Sequence, residues 1–132
     1  MYKRQDAKRV LVIDDTKAVR SLIIRILNGE DYCVRGIDSG ERALTLVQSE
    51  AFLPDAALVD LTMPGLNGVA VAEALKQLLP SVRIGIMSGF DRDDTLEAYD
   101  LSPDELAFLE KPFSAAQLEV FVAELLDADV TT

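Results

Sequence analysis

The sequence predicts an α/β protein in which five strand-helix units build an open parallel sheet. Two observations carry this: short β-branched runs alternate with helical apolar periodicity from end to end, and five such pairs can be counted. A third bounds it, since 132 residues with 49% hydrophobic and 27% charged content suit one domain with a real core and exclude a disordered chain. The expected unit is a single domain over residues 1–132, with a core of about 8–127 and a polar tail at 128–132.

The elements follow in order. Val10 to Ile13 reads as the first strand, and Val19, Leu22, Ile23, Ile26 and Leu27 recur at helical spacing until Asn28-Gly29 ends the helix. Tyr32 to Ile37 is the second strand. Ser39 is an N-cap for a helix from Gly40 to Gln48, and Asp55 to Val59 is the third strand, entered through Pro54. The third helix runs from about Asn67 to Leu79, where Pro80 stops it. Val82 to Met87 makes the fourth strand. A polar segment from Asp91 to Glu105 holds a short fourth helix around Thr95 to Tyr99, and Leu106 to Leu109 is the fifth strand. The last helix carries Leu118, Phe121, Val122, Leu125 and Leu126 on one face.

Composition removes several classes of function. The chain has no histidine, which excludes Ser-His-Asp catalysis, imidazole zinc sites and a phosphohistidine carrier. Its single cysteine, Cys33, has neither a disulfide partner nor an activating imidazole, and reads as a small apolar strand residue. A net charge of −10 disfavours direct binding to nucleic acid or anionic membrane. Neither a membrane span nor a secretion signal is visible, so the expected location is the cytoplasm.

In an open α/β sheet, ligands bind beyond the carboxyl ends of the strands. Here the first strand ends in Asp14-Asp15, the third in Asp60, the fourth in Ser88-Gly89 and the fifth in Glu110-Lys111-Pro112. Singly, each residue has an ordinary explanation: the aspartate pair could cap a helix, Asp60 could open a turn, Ser88 could be a loop hydroxyl and Lys111 a surface charge. Together they meet on one edge. Three carboxylates and one ammonium leave the cluster at −2, which repels phosphate unless a hard divalent cation, magnesium or manganese, cancels the charge through oxygen ligands. With that cation, Asp60 is a nucleophile towards a phosphoryl group, whose oxygens Lys111, Ser88 and the cation would hold.

The segments VLVIDD, ALVDLTMPGLNG, IMSG and FLEKPF, in this order and spacing, resemble the receiver domain of two-component response regulators over nearly the whole chain. The resemblance implies a flavodoxin-like (βα)5 three-layer sandwich with strand order 2-1-3-4-5. It implies that Asp60 accepts phosphate from the phosphohistidine of a histidine kinase or phosphotransfer protein. Asp15 would bind the metal directly, Asp14 through water, and the backbone carbonyl of Thr62 would complete the protein ligands. Ser88 matches the family's switch hydroxyl, Phe108 its switch aromatic, Lys111 its phosphate-binding lysine, and Pro112 a proline that follows a cis peptide bond. Phosphorylation would then change the helix 4, strand 5 and helix 5 face towards a downstream protein target. Such a domain is a phospho-acceptor whose only reactions are its own phosphorylation and dephosphorylation, not an enzyme acting on other molecules.

Two features depart from the family's common pattern. Residues Asp91 to Glu105 carry seven acids and one arginine, either a solvated face or a surface for a basic partner. Phe90, two residues past Ser88, is either a packed loop aromatic or a shield over the acyl phosphate. Rival chemistries fit less well. A phosphatase with an aspartyl nucleophile would need an aspartate where Thr62 stands, and a flavin site would meet repelling charge at Asp14-Asp15. A receiver within a hybrid kinase or phosphorelay stays open, as does a phosphorylation-independent binding module. The early first strand favours a free-standing protein or the front end of a longer one.

Overall fold

The computed structural model describes residues 5–63, 67–90, 92–98 and 107–127. Five strands, β1 (Lys8–Ile13), β2 (Tyr32–Ile37), β3 (Ala56–Asp60), β4 (Arg83–Ser88) and β5 (Ala107–Glu110), form one sheet in the order β2-β1-β3-β4-β5. All pairings are parallel. The helices are α1 (Lys17–Leu27), α2 (Gly40–Gln48), α3 (Gly68–Leu78), α4 (Arg92–Ala98) and α5 (Ala115–Leu126). The expected fold and strand order are both present.

Alternation along each strand divides the core in two. Leu11, Ile13, Ala57, Val59, Ile84 and Ile86 face the side that carries α2 and α3. Val10, Val12, Ala56, Leu58 and Met87 face the side of α1 and α5. Because both faces are covered, β3 is buried at every position, which is why its sequence is a continuous apolar run and not an alternating one. Its last residue is Asp60. The pattern that makes β3 central therefore delivers that carboxylate to the sheet edge.

Several boundaries differ from the sequence expectation. β1 begins at Lys8, two residues early, because Lys8 and Arg9 pair with Tyr32 and Cys33 although neither carries an apolar signal. β3 and β4 each start and end one residue later than expected. Asp55 lies outside the strand and bonds instead, its carboxylate accepting from the Arg9 N–H at 2.8 Å. α3 gives up both expected end residues to its caps, Asn67 and Leu79. α4 starts at Arg92, three residues early, with Asp93 and Asp94 in its first turn, where carboxylates favour the helix dipole. Ser39 caps α2 as expected, and Ser114 closes a capping box with Gln117 on α5. Tyr99, Leu106, Ser102-Pro103-Asp104, Pro64-Gly65 and the tail 128–132 lie outside the described residues.

Two glycines admit close approaches. A Cβ on Gly68 would stand 2.6 Å from the Asp60 carbonyl oxygen and 2.8 Å from Leu61 Cα, so α3 packs directly on the backbone behind the site. On Gly85 it would meet the rim of the Phe121 ring at 2.6 Å. Ring atoms can move, whereas backbone cannot. Gly85→Ala should therefore cost about 1–3 kcal/mol and be partly rescued by Phe121→Leu, while Gly68→Ala should cost at least as much and not be rescued by Leu61→Ala. Denaturant midpoints of the variants check this.

Candidate functional site

The strand ends bring the expected residues together. Carboxylate oxygens of Asp14, Asp15 and Asp60 lie within 4.8 Å of one another. Asp14 and Asp60 are buried, at 0% and 2% exposure, and Asp15 opens to solvent. Lys111 bridges the two buried acids: its Nζ lies 2.8 Å from Asp14 Oδ2 and 3.5 Å from Asp60 Oδ1. The Lys111-Pro112 peptide is cis, as the resemblance implied. The Lys111 N–H donates to the Ser88 carbonyl at 2.7 Å, which ties the end of β5 to the end of β4.

Local bonding fixes each acid. The Thr16 N–H donates to Asp14 Oδ1 at 2.8 Å, so Asp14 shapes the turn into α1 while facing the site. The helix N-cap itself is Thr16, without a side-chain cap bond. Asp60 Oδ1 accepts from the Thr62 N–H at 3.3 Å and from the Thr62 hydroxyl at 3.2 Å. Ser88 is buried; its Oγ accepts from the Phe90 N–H at 3.1 Å and lies 3.4 Å from the buried hydroxyl of Thr95 on α4.

Phe108 stands apart from the charged cluster. It is half-buried on the α2/α3 side of the sheet, paired with Ile86. Phe90 is 63% exposed, which corrects the expectation of a packed loop aromatic: it follows the end of β4, beyond the reach of the core. Cys33 is partly buried against the α2/α3 core, in keeping with an apolar strand residue.

Residues missed by sequence reasoning are Thr95, the Thr62 hydroxyl and Arg20, whose Nη1 donates to the Asp14 carbonyl at 2.8 Å. Thr95 gave no signal, because a threonine in an acidic helix is ordinary until Ser88 is placed beside it. Arg20 had one: it is a cation one turn before Ile24 of α1. An open groove lined by Val19, Leu22, Gly89, Lys111, Pro112 and Phe113 borders the cluster. The cluster can bind a hard cation and present one carboxylate, Asp60, beside a lysine. Among the described residues, no helix is long and apolar enough to cross a membrane.

The chain belongs to the response regulator receiver domain family, whose profile matches residues 10–123. It is 32% identical over 119 residues to the sensor kinase CckA of Brucella abortus, covering 89% of this chain and 12% of that protein. It is 28% identical over 120 residues to sporulation initiation phosphotransferase F of Bacillus subtilis, covering 90% and 94%. The chain spans 50% of the length of a matched curated response regulator. A response regulator receiver protein from Sinorhizobium medicae superposes with a TM-score of 0.80 at 27% identity, over 95% of this chain and 98% of that one.

Burial pushes the Asp60 carboxyl above its ordinary range, the neighbouring Asp14 charge adds to this, and Lys111 and the two Thr62 bonds pull part of the way back. The folded state thus keeps the Asp60 proton to higher pH than the unfolded chain does. Between about pH 4, where an unfolded aspartate ionises, and the raised folded value, stability contributed by this group falls as pH rises. Asp60→Asn is neutral throughout and leaves Lys111 paired with Asp14. In chelator, it should be more stable than wild type at pH 7, and the advantage should shrink on acidification towards about pH 4. Equal urea midpoints at pH 7 would contradict this.

Proposed function

We propose that the chain accepts a phosphoryl group on Asp60 from the phosphohistidine of a histidine kinase or phosphotransfer protein, and signals through protein contacts on the α4-β5-α5 face. The observation that supports this most is the three-carboxylate cluster with Lys111 lodged between its two buried members. An Asp60 oxygen attacks phosphorus, a P–O bond forms as the P–N bond breaks, and the donor imidazole leaves. Lys111 holds a phosphoryl oxygen, and Ser88 turns its hydroxyl to another.

Asp14, Asp15, Asp60 and the Thr62 carbonyl would hold a magnesium or manganese ion, which supplies charge neutralisation for the incoming phosphoryl group. The donor set fits: all are hard oxygens, and the carboxylates converge closely enough to share one cation. Ser88 and Phe108 form the switch, Phe108 turning inward as Ser88 moves. The apolar groove beside Lys111 offers the phosphodonor a docking edge. The net charge of −10 supports a target that is protein and not nucleic acid, away from anionic membrane. The setting we propose is the cytoplasm. Residues 1–132 act as one receiver unit with a core of about 8–127, and the domain is an acceptor without turnover on other substrates.

A second reading, a receiver that passes phosphate onward in a phosphorelay or hybrid kinase, is favoured by the similarity to a phosphotransferase and to a sensor kinase. It shares the same first step. A phosphorylation-independent binding module is the third reading, and the full acid-lysine cluster counts against it.

Intact mass after incubation with acetyl phosphate tests the chemistry. One added phosphoryl group should form on wild type with magnesium, and none with chelator or on Asp60→Asn. An adduct that persists on Asp60→Asn would move the acceptor elsewhere, and none on wild type even with a cognate kinase would favour the binding module. Magnesium at about 100 times its dissociation constant should also stabilise the fold by about 2.7 kcal/mol, read as a shift in the urea midpoint.

A further inference from the structure

Arg20 makes a contact that the proposed chemistry does not use. From the first turn of α1, its Nη1 donates to the backbone carbonyl of Asp14 at 2.8 Å. That oxygen belongs to the peptide unit joining Asp14 to Asp15, so whatever fixes it sets how the two carboxylates are oriented relative to one another. The other bonds at Asp14 act elsewhere. Its N–H donates to the Ile37 carbonyl, and its carboxylate is held by Thr16 and Lys111.

A second observation shows that room is kept for this side chain. On β2, the strand beside β1, Gly36 lies under α1, where a Cβ would come within 3.3 Å of Arg20 Cδ and of Ile24 Cδ1. The missing side chain lets the aliphatic part of Arg20 lie flat across β2 while its guanidinium reaches the end of β1. Long helical side chains lean towards the helix N-terminus, which is the direction this reach needs.

We propose that Arg20 is a positioning residue for the cation: by bonding the Asp14 carbonyl it locks the Asp14-Asp15 peptide so that both carboxylates meet one metal. The inference rests on the metal site proposed above. It also predicts a sign that simple electrostatics does not. Removing a positive charge beside acids should strengthen cation binding through charge alone, whereas loss of positioning weakens it.

Calorimetric titration of the chelator-treated full chain with magnesium chloride, at fixed ionic strength, separates these. Arg20→Lys and Arg20→Gln should each bind magnesium about tenfold more weakly than wild type, the usual scale for removing a partner behind a metal ligand. Gly36→Val, which leaves Arg20 in the chain but displaces it, should weaken binding in the same direction. Arg25→Gln, an exposed charge in the last turn of α1, should not. Urea midpoints in chelator provide the structural readout. If both Arg20 variants lower the midpoint but keep the wild-type magnesium affinity, or if Arg20→Gln tightens binding, the positioning role is overturned while the metal site stands. If Arg25→Gln weakens binding as much as Arg20→Lys, the loss reflects a general disturbance of α1 and not the Asp14 carbonyl contact, and the role is again overturned. Wild type that binds no magnesium overturns both the role and the site.

Discussion

Everything at the top of this sheet depends on keeping two aspartates, Asp14 and Asp60, side by side out of water. Like charges at that separation repel, and each also loses hydration. Lys111 is the described cation that meets both, and it sits closer to Asp14 than to Asp60. Burial, and after it the Asp14 charge alongside, push the Asp60 carboxyl up, and Lys111 offsets only part of this. A site made this way is short of positive charge, a shortage that the cation proposed above would relieve.

The scaffold has to hold that arrangement against its own repulsion. It does so with backbone ties as well as with the side chains of Lys111 and Arg20. The end of β5 is tied to the end of β4 through Lys111 and Ser88, and Leu61 continues the β3 ladder onto Met87. Behind Asp60, α3 approaches so closely at Gly68 that no side chain fits between helix and strand. Rigid surroundings of this kind keep a charged cluster from relaxing apart.

The same rigidity makes Ser88 informative to its neighbours. Its hydroxyl is shared with Thr95, a buried residue of α4. A Ser88 hydroxyl that turns towards Asp60 leaves Thr95 to find another partner, and a buried hydroxyl without one costs about 1–3 kcal/mol. The Ser88 movement proposed above would thereby reach a helix whose first turn carries Asp93 and Asp94 on the solvent side. The exposure of Phe90, just past the end of β4, places an apolar group at the rim of the same region.

Legible in the residues alone were the strand-helix alternation, the buried apolar run of β3 and the residues delivered to the strand ends. Strands covered on both faces must be continuously apolar, and a carboxylate that closes such a run can only lie at its end. Lys8 and Arg9 escaped because pairing, not burial, makes them strand, and the start of α4 escaped because its first turn is wholly polar. Packing alone settled the side-chain contacts between elements: Lys111 nearer to Asp14 than to Asp60, Thr95 beside Ser88, Arg20 across Gly36. Periodicity reports which face a residue takes, and says nothing of which atom it meets there. That choice is made by how closely two elements pack, and for Arg20 it is Gly36 that allows the approach, a role visible only once α1 lies on the sheet.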